Sequence, residues 1–253
     1  MRMVRAILWT VPIVLLVIGC ATKPPSDAKD KELAVARYEL GVAYFNSGKF
    51  RLAIPEFGKA IELNPSSSDY RNALGMALMF NRQLDEAIKV FEEALTIDPK
   101  SSETKNNLAS AYLIKGKLEP ARVLLLQVKD DFFYPTPHFV YFNLARIYER
   151  QGKIDKAIEE YRRALDIRPD YVDAHYNVGL LFLGQGKTDL AIAEFIEVTR
   201  LSPGVAVYHR TLGVAYVQAG KPQDARRAFQ KVLDVGPHSP SAEYARKMLK
   251  ELQ

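Results

Sequence analysis

Cysteine occurs once in the 253 residues, at Cys20, and tryptophan once, at Trp9. A single thiol has no intrachain disulfide partner and no companion thiolate for a zinc site. Histidine is scarce too, at His138, His175, His209 and His238, and no H-E-x-x-H links any two of them. The chain carries no G-x-S-x-G, no P-loop and no G-x-G-x-x-G, so the common signatures of nucleophilic and nucleotide-dependent chemistry are missing. We expect a protein that is not an enzyme, with no cofactor and no metal. Charge of one sign is also missing as a block. The formal net charge is +5, from 35 Lys and Arg against 30 Asp and Glu, but both signs are interspersed along the whole length. That pattern reads as a solvated mixed surface, and nucleic acid is not an expected partner.

Only the N-terminus has a long apolar run. Arg2 and Arg5 precede Ala6 to Ile18, a stretch shorter than the roughly 20 residues of a permanent membrane helix. Residues 1–19 are therefore read as a signal peptide. The run ends in Val17-Ile18-Gly19-Cys20, which resembles the lipobox of bacterial lipoproteins. That resemblance implies that Cys20 is acylated, palmitate being the expected kind of chain, and becomes the first residue of a membrane-anchored protein. Ala21, in place of Asp, resembles the outer-membrane sorting signal, which implies the periplasmic face of a bacterial outer membrane. Residues 20–33, with Pro24-Pro25, read as the lipidated cysteine and an extended tether of up to about 3.1 Å per residue.

From Ala34 the chain repeats. Pro65, Pro99, Pro135, Pro169, Pro203 and Pro237 are separated by 34, 36, 34, 34 and 34 residues. Ala53, Ala87, Ala121, Ala157, Ala191 and Ala225 keep the same register, as do Gly41, Gly75, Ala109, Ala145, Gly179 and Gly213. This is the period and pattern of the tetratricopeptide repeat. In five of the six units a first helix presents a small residue to an aromatic on the second helix, with Leu125 at that place in the third, and a proline ends each second helix. The fold class that follows is all-α: a right-handed superhelical solenoid of six repeats, at 34–67, 68–101, 102–137, 138–171, 172–205 and 206–239. Residues 240–253 read as a polar-faced capping helix.

Once the core is assigned, the inner face of each first helix is left to bind a partner. In the first repeat that face carries Tyr38, Val42 and Phe45, and in the second Asn72, Met76, Met79 and Phe80. This is an apolar, Met-rich surface of the adaptable peptide-binding kind. In the fourth repeat the same face carries Phe142 and Arg146, and in the fifth Tyr176, so the groove runs from apolar to charged. Asn107, Asn143 and Asn177 recur at one place in successive repeats. They could read the backbone of an extended peptide or brace neighbouring helices.

The period slips once. Two extra residues fall between Val128 and Pro135; inside a helix they would turn the apolar stripe by about 200°, so they belong at the helix end. Counting back from Pro135 aligns Phe133 with the core, which leaves Phe132 and Tyr134 as an outward bulge, with Thr136 as the next N-cap and Pro137 as the first helical residue.

Lipobox, tether, six repeats and capping helix together resemble the type IV pilus biogenesis lipoproteins of the PilF and PilW kind. Their joint between the third and fourth repeats is similar, here Asp131, Tyr134-Pro135 and Phe142-Asn143-Leu144. The resemblance implies a pilotin, which binds a secretin subunit and assists its localisation and multimerisation in the outer membrane. The alternative is a general cell-envelope scaffold that recruits peptidoglycan enzymes or other assembly factors. The sequence carries no signal for the oligomeric state.

Overall fold

A computed structural model describes residues 28–252, and the readings on residues 1–27, Cys20 among them, lie outside the described residues. Regular structure among the described residues is entirely helical: α1 (Ala28–Asn46), α2 (Phe50–Leu63), α3 (Ser68–Phe80), α4 (Leu84–Ile97), α5 (Ser102–Ile114), α6 (Leu118–Lys129), α7 (His138–Arg150), α8 (Ile154–Ile167), α9 (Val172–Gly184), α10 (Thr188–Leu201), α11 (Ala206–Gln218), α12 (Pro222–Val235) and α13 (Pro240–Glu251). Helix α1 starts at Ala28, so residues 28–33 are helix where the sequence led us to expect the end of an extended tether. No proline or glycine lies in that stretch to stop a helix running back from the first repeat.

Local chemistry sets the helix limits. The hydroxyls of Ser67, Ser101 and Ser239 accept hydrogen bonds from the backbone N–H of Tyr70, Thr104 and Ala242, capping α3, α5 and α13. The turn inside each pair needs one residue at positive φ. Gly48, Gly116, Gly152, Gly186 and Gly220 supply it, while the second pair places Arg82 there, at φ 66°.

Within a pair the helices approach at the small residue. A methyl group added to Gly41, Gly75, Gly179 or Gly213 would lie 2.5–2.6 Å from the nearest ring carbon of Phe57, Phe91, Phe195 or Phe229, which is why those places have no side chain. The fourth pair differs: Ala145 stands there, and the buried ring is Tyr161, whose hydroxyl donates to Glu149 at 3.0 Å. Pairs stack only on their neighbours, and α13 closes the stack by packing on α12 and α11. Its buried Ala242 and Ala245 seal the last core layer over Phe229 and Val232.

The joint between the third and fourth pairs corrects the sequence reading. Phe133 is 88% exposed and Phe132 92%, whereas Tyr134 is 6% exposed. The bulge thus carries Phe132 and Phe133, and Tyr134 is the inward residue, packed on Leu125, Val128, Val140 and Leu144. Helical register could not predict this, because α6 has already ended at Lys129. The Asp131 carboxylate accepts the Phe133 N–H at 3.0 Å, and the Asp131 carbonyl accepts the Tyr134 N–H at 3.2 Å. This Asx turn reverses the chain and chooses the side on which each ring emerges. The helix start also shifts by one: Pro137 is the N-cap of α7, without a side-chain cap, and His138 is its first residue.

Candidate functional site: the inner face of the stack

First helices of successive pairs touch one another, α1 with α3, α3 with α5 and α5 with α7, while second helices make no comparable contact. The first helices therefore line the short, inner side of the curve. Side chains at their inner positions meet across pairs and face whatever lies in the groove.

At the N-terminal end this face is aromatic. Tyr38 stacks on Tyr70 with centroids 4.9 Å apart and leans on Phe57 at 5.7 Å. Burial pushes its phenol pKa up, and the nearby carboxylates of Asp69 and Glu103 add to the shift. Phe45 and Phe80 meet edge to face at 5.4 Å, and Phe50 closes a triad at 5.3 Å from Phe45 and 5.2 Å from Phe80. Phe80 remains 54% exposed, and Ile114, in the same place one pair on, is 49% exposed. Val42 is half-buried beside the triad and Met79 one pair further on. A hollow of about 390 Å³ opens next to Phe50, Lys49, Arg51 and Leu52. The sequence analysis missed Phe50. The signal was available, since Phe50 is the only aromatic where the other pairs begin their second helix with Leu84, Leu118, Ile154, Thr188 and Pro222.

The asparagines serve the scaffold. Asn143 is 5% exposed and donates to Asn106 Oδ1 at 3.1 Å and Ser110 Oγ at 3.0 Å. Asn107 donates to Asn72 Oδ1 at 3.0 Å, and Asn72, itself buried, donates to Glu103 at 3.0 Å. Asn177 donates to the Asp173 carbonyl of its own helix at 2.8 Å. Of the two roles open to these residues, bracing matches the contacts of Asn107 and Asn143, whose amides donate to neighbouring helices, while Asn177 binds within its own helix.

Further along, Phe142 lies against Tyr161 at 5.3 Å and Tyr171 at 5.0 Å. The half-buried Arg146 sits close enough to both phenols for its charge to oppose the upward push that burial gives them. Tyr176 packs on Tyr208 at 5.2 Å and lies 3.4 Å from the Thr211 hydroxyl. The two histidines at equivalent places, His175 and His209, hold the carbonyls of Pro169 and Pro203 at 2.9 and 2.8 Å. Arg71 reaches the Pro65 carbonyl in the same way. These side chains brace the joints.

Midway along the groove the irregular joint folds over the inner face. Tyr134, Pro135 and Thr136 from the joint, Met76 from α3, Asn107 from α5 and Phe139 from α7 surround a cavity of about 330 Å³, with Glu103 at its side. Burial pushes the Tyr134 phenol pKa up, and the side chains of Thr136 and Asn106 oppose the shift. Among the described residues no group of three or more His, Cys, Asp or Glu is placed to hold a metal.

Family models described as tetratricopeptide repeat match residues 38–102 and 210–246, 78–133, and 172–204, and one described as TPR repeat matches 145–186. No curated protein matches the chain. Among solved structures, Pseudomonas aeruginosa PilF is similar at 19% identity and TM-score 0.73, covering 87% of this chain and 99% of its own. PilW, a widely conserved type IV pilus biogenesis factor, is similar at 18% identity and TM-score 0.77, covering 85% and 99%. YrrB, a TPR protein with an unusual peptide-binding site, shares 21% identity over 76% of this chain and 97% of its own, with TM-score 0.54. With repeat matches spread from residue 38 to 246 and helix pairs stacked in register throughout, this chain is a tetratricopeptide-repeat protein.

Proposed function

We propose that the chain is a membrane-anchored periplasmic adaptor that holds a segment of a protein partner in its groove, and that it acts as a pilotin for a secretin subunit in type IV pilus biogenesis. The observation that carries the binding role is the aromatic triad Phe45, Phe50 and Phe80, left half open to solvent at the end of the groove. A folded chain gains nothing from exposing such a surface unless something covers it. The pilus assignment is supported by the similarity to PilF and PilW over nearly their full lengths and by the Tyr134-Pro135 joint. Cys20 is the proposed lipid attachment point, and the outer membrane, on its periplasmic side, the proposed location.

The test is affinity capture from envelope extract with the wild-type chain and a Met76→Glu/Phe80→Glu variant. Secretin should be the main protein captured by the wild type and should be depleted at least tenfold with the variant, at unchanged helicity by circular dichroism. Capture of cell-wall hydrolases instead points to the general envelope scaffold, and equal capture by both forms removes the groove from the binding role. Cys20→Ser should move the chain from the membrane fraction to the soluble fraction.

A further inference from the structure

The cavity under the irregular joint is separate from the aromatic triad and has a different chemistry. Its walls are the thioether of Met76, the ring of Phe139 and the pyrrolidine of Pro135, with Glu103 beside them. Two of the amide groups that line it are engaged across the helices. Asn106 Oδ1 takes the Asn143 amide, and the Asn107 amide goes to Asn72. Glu103 is the one charged residue on its lining. One of its oxygens accepts from Asn72 at 3.0 Å, yet no Lys or Arg among the described residues forms an ion pair with it, in a chain with a cationic surplus. Asp69 adds to the negative potential, since both carboxylates act on the Tyr38 hydroxyl.

Three kinds of occupant can be weighed. An anionic group would meet Glu103 at the wall of the cavity and be repelled. A purely apolar side chain would cover Glu103 and strip its water without replacing it, which is costly for an ionised carboxylate. A basic side chain satisfies both halves: methylenes along Met76 and Phe139, and the cationic head on Glu103. A volume of about 330 Å³ is at the small end of ligand pockets and suits one long side chain.

We propose that this cavity is the anchor pocket for a Lys or Arg side chain of the segment bound in the groove. The proposal rests on the groove reading above and adds to it that the partner segment is cationic as well as apolar. Glu103 is the recognising residue and Tyr134 the wall that positions it against the joint. The groove then reads two features in series, an apolar anchor at Phe80 and a basic one at Glu103.

The probe is agmatine, which carries the guanidinium and stem of arginine, titrated into the full isotope-labelled chain in zwitterionic micelles and followed by amide chemical shifts. Its neutral urea isostere, N-carbamoylputrescine, is the comparator. We expect saturable shifts clustered at Glu103, Asn107, Thr136 and Phe139, with agmatine binding about tenfold more tightly than the isostere. Glu103→Gln, whose amide oxygen still accepts from Asn72, should abolish that preference and leave the spectrum otherwise native. Equal binding of probe and isostere, shifts scattered over other surface carboxylates, or an unchanged preference in the Gln variant would each overturn the pocket. Phe80→Glu separates the two readings. If it leaves partner capture intact, the groove reading fails while agmatine binding at Glu103 stands or falls on its own.

Discussion

Five of the six joints that follow a second helix take four residues each, 64–67, 98–101, 168–171, 202–205 and 236–239, while the joint between the third and fourth pairs takes eight, 130–137. The five are alike in what they present: a short turn through proline, tied in four cases by Arg71, His175, His209 or Arg246 to the proline carbonyl. The long joint has no such tie to Pro135 among the described residues. It is held instead by Asp131 and by an aromatic turned inward. Two inserted residues and two uncoiled from the end of α6, which has 12 residues where α2, α4, α8, α10 and α12 have 14, make enough chain to cover the inner face on one side and display a phenylalanine pair on the other. A repeat array is uniform wherever its period holds, so a break in the period is where it can acquire a surface its neighbours lack.

If Tyr134 is the staple of the long joint, its removal should separate the two kinds of joint by the widest margin. Tyr134→Ala deletes a ring 6% exposed and should cost about 3–5 kcal/mol, as other buried aromatics do. Ile97→Ala, at the end of α4 in a regular joint and 39% exposed, should cost less than about 1 kcal/mol. Urea unfolding followed by circular dichroism measures both. The Tyr134 variant should also unfold in two steps, because weakening one interface in a stack uncouples the pairs on either side. Equal losses for the two variants would erase the distinction between the joints.

The repeat part of the fold was readable because it is built from one spacing. Leu, Gly, Ala and Phe recur at places that fix helix, turn and close approach together, and the second helix of every pair begins, and of every pair but the third ends, where that spacing puts it. The joint was not readable by the same rule. Counting back from Pro135 assumes a helix, and the chain there follows an Asx turn set by Asp131, so the inward and outward aromatics exchanged places. The groove was half readable. Tyr38, Phe45 and Phe80 lie on the inner face as their places require, but the choice between reading and bracing stayed open for Asn107 and Asn143 because their partners, Asn72, Asn106 and Ser110, come from other repeats. Pairings across repeats leave no mark in the spacing within one.

A smaller effect tests what holds the long joint in place of a brace on proline. The Asp131 carboxylate accepts the Ser102 hydroxyl at 2.6 Å and the Phe133 N–H, and these bonds, the hydroxyl's first, hold its pKa below the usual carboxylate value. A carboxyl whose pKa is lower in the folded state binds its proton more weakly there than in the unfolded chain. Its contribution is therefore present above the ordinary carboxylate pKa and is lost as pH falls through the lowered folded value. Wild type should be more stable than Asp131→Ala at neutral pH, with the gap closing in strongly acid solution. Thermal unfolding of the two chains from pH 7 to pH 2 measures the gap, and a difference that stays constant to pH 2 would show that ionised Asp131 does not hold the joint.

The least effect on folding is expected from the most conspicuous residues. Phe132 and Phe133 are 92% and 88% exposed and touch each other edge to face at 5.6 Å, so almost none of their area leaves water when the chain folds. Phe132→Ser/Phe133→Ser should therefore change unfolding free energy by no more than about 0.5 kcal/mol. A loss above about 1 kcal/mol would mean that the pair is packed in solution, and the contrast between an inward tyrosine and two outward phenylalanines would collapse. With stability unchanged, partner capture becomes the readout. A drop in captured protein would make the outer side of the long joint a second contact beside the groove, and unchanged capture would confine binding to the inner face. Because Tyr134 and the phenylalanines share one turn, the two variants together tell whether the inserted residues serve the inside of the stack, its outside, or both.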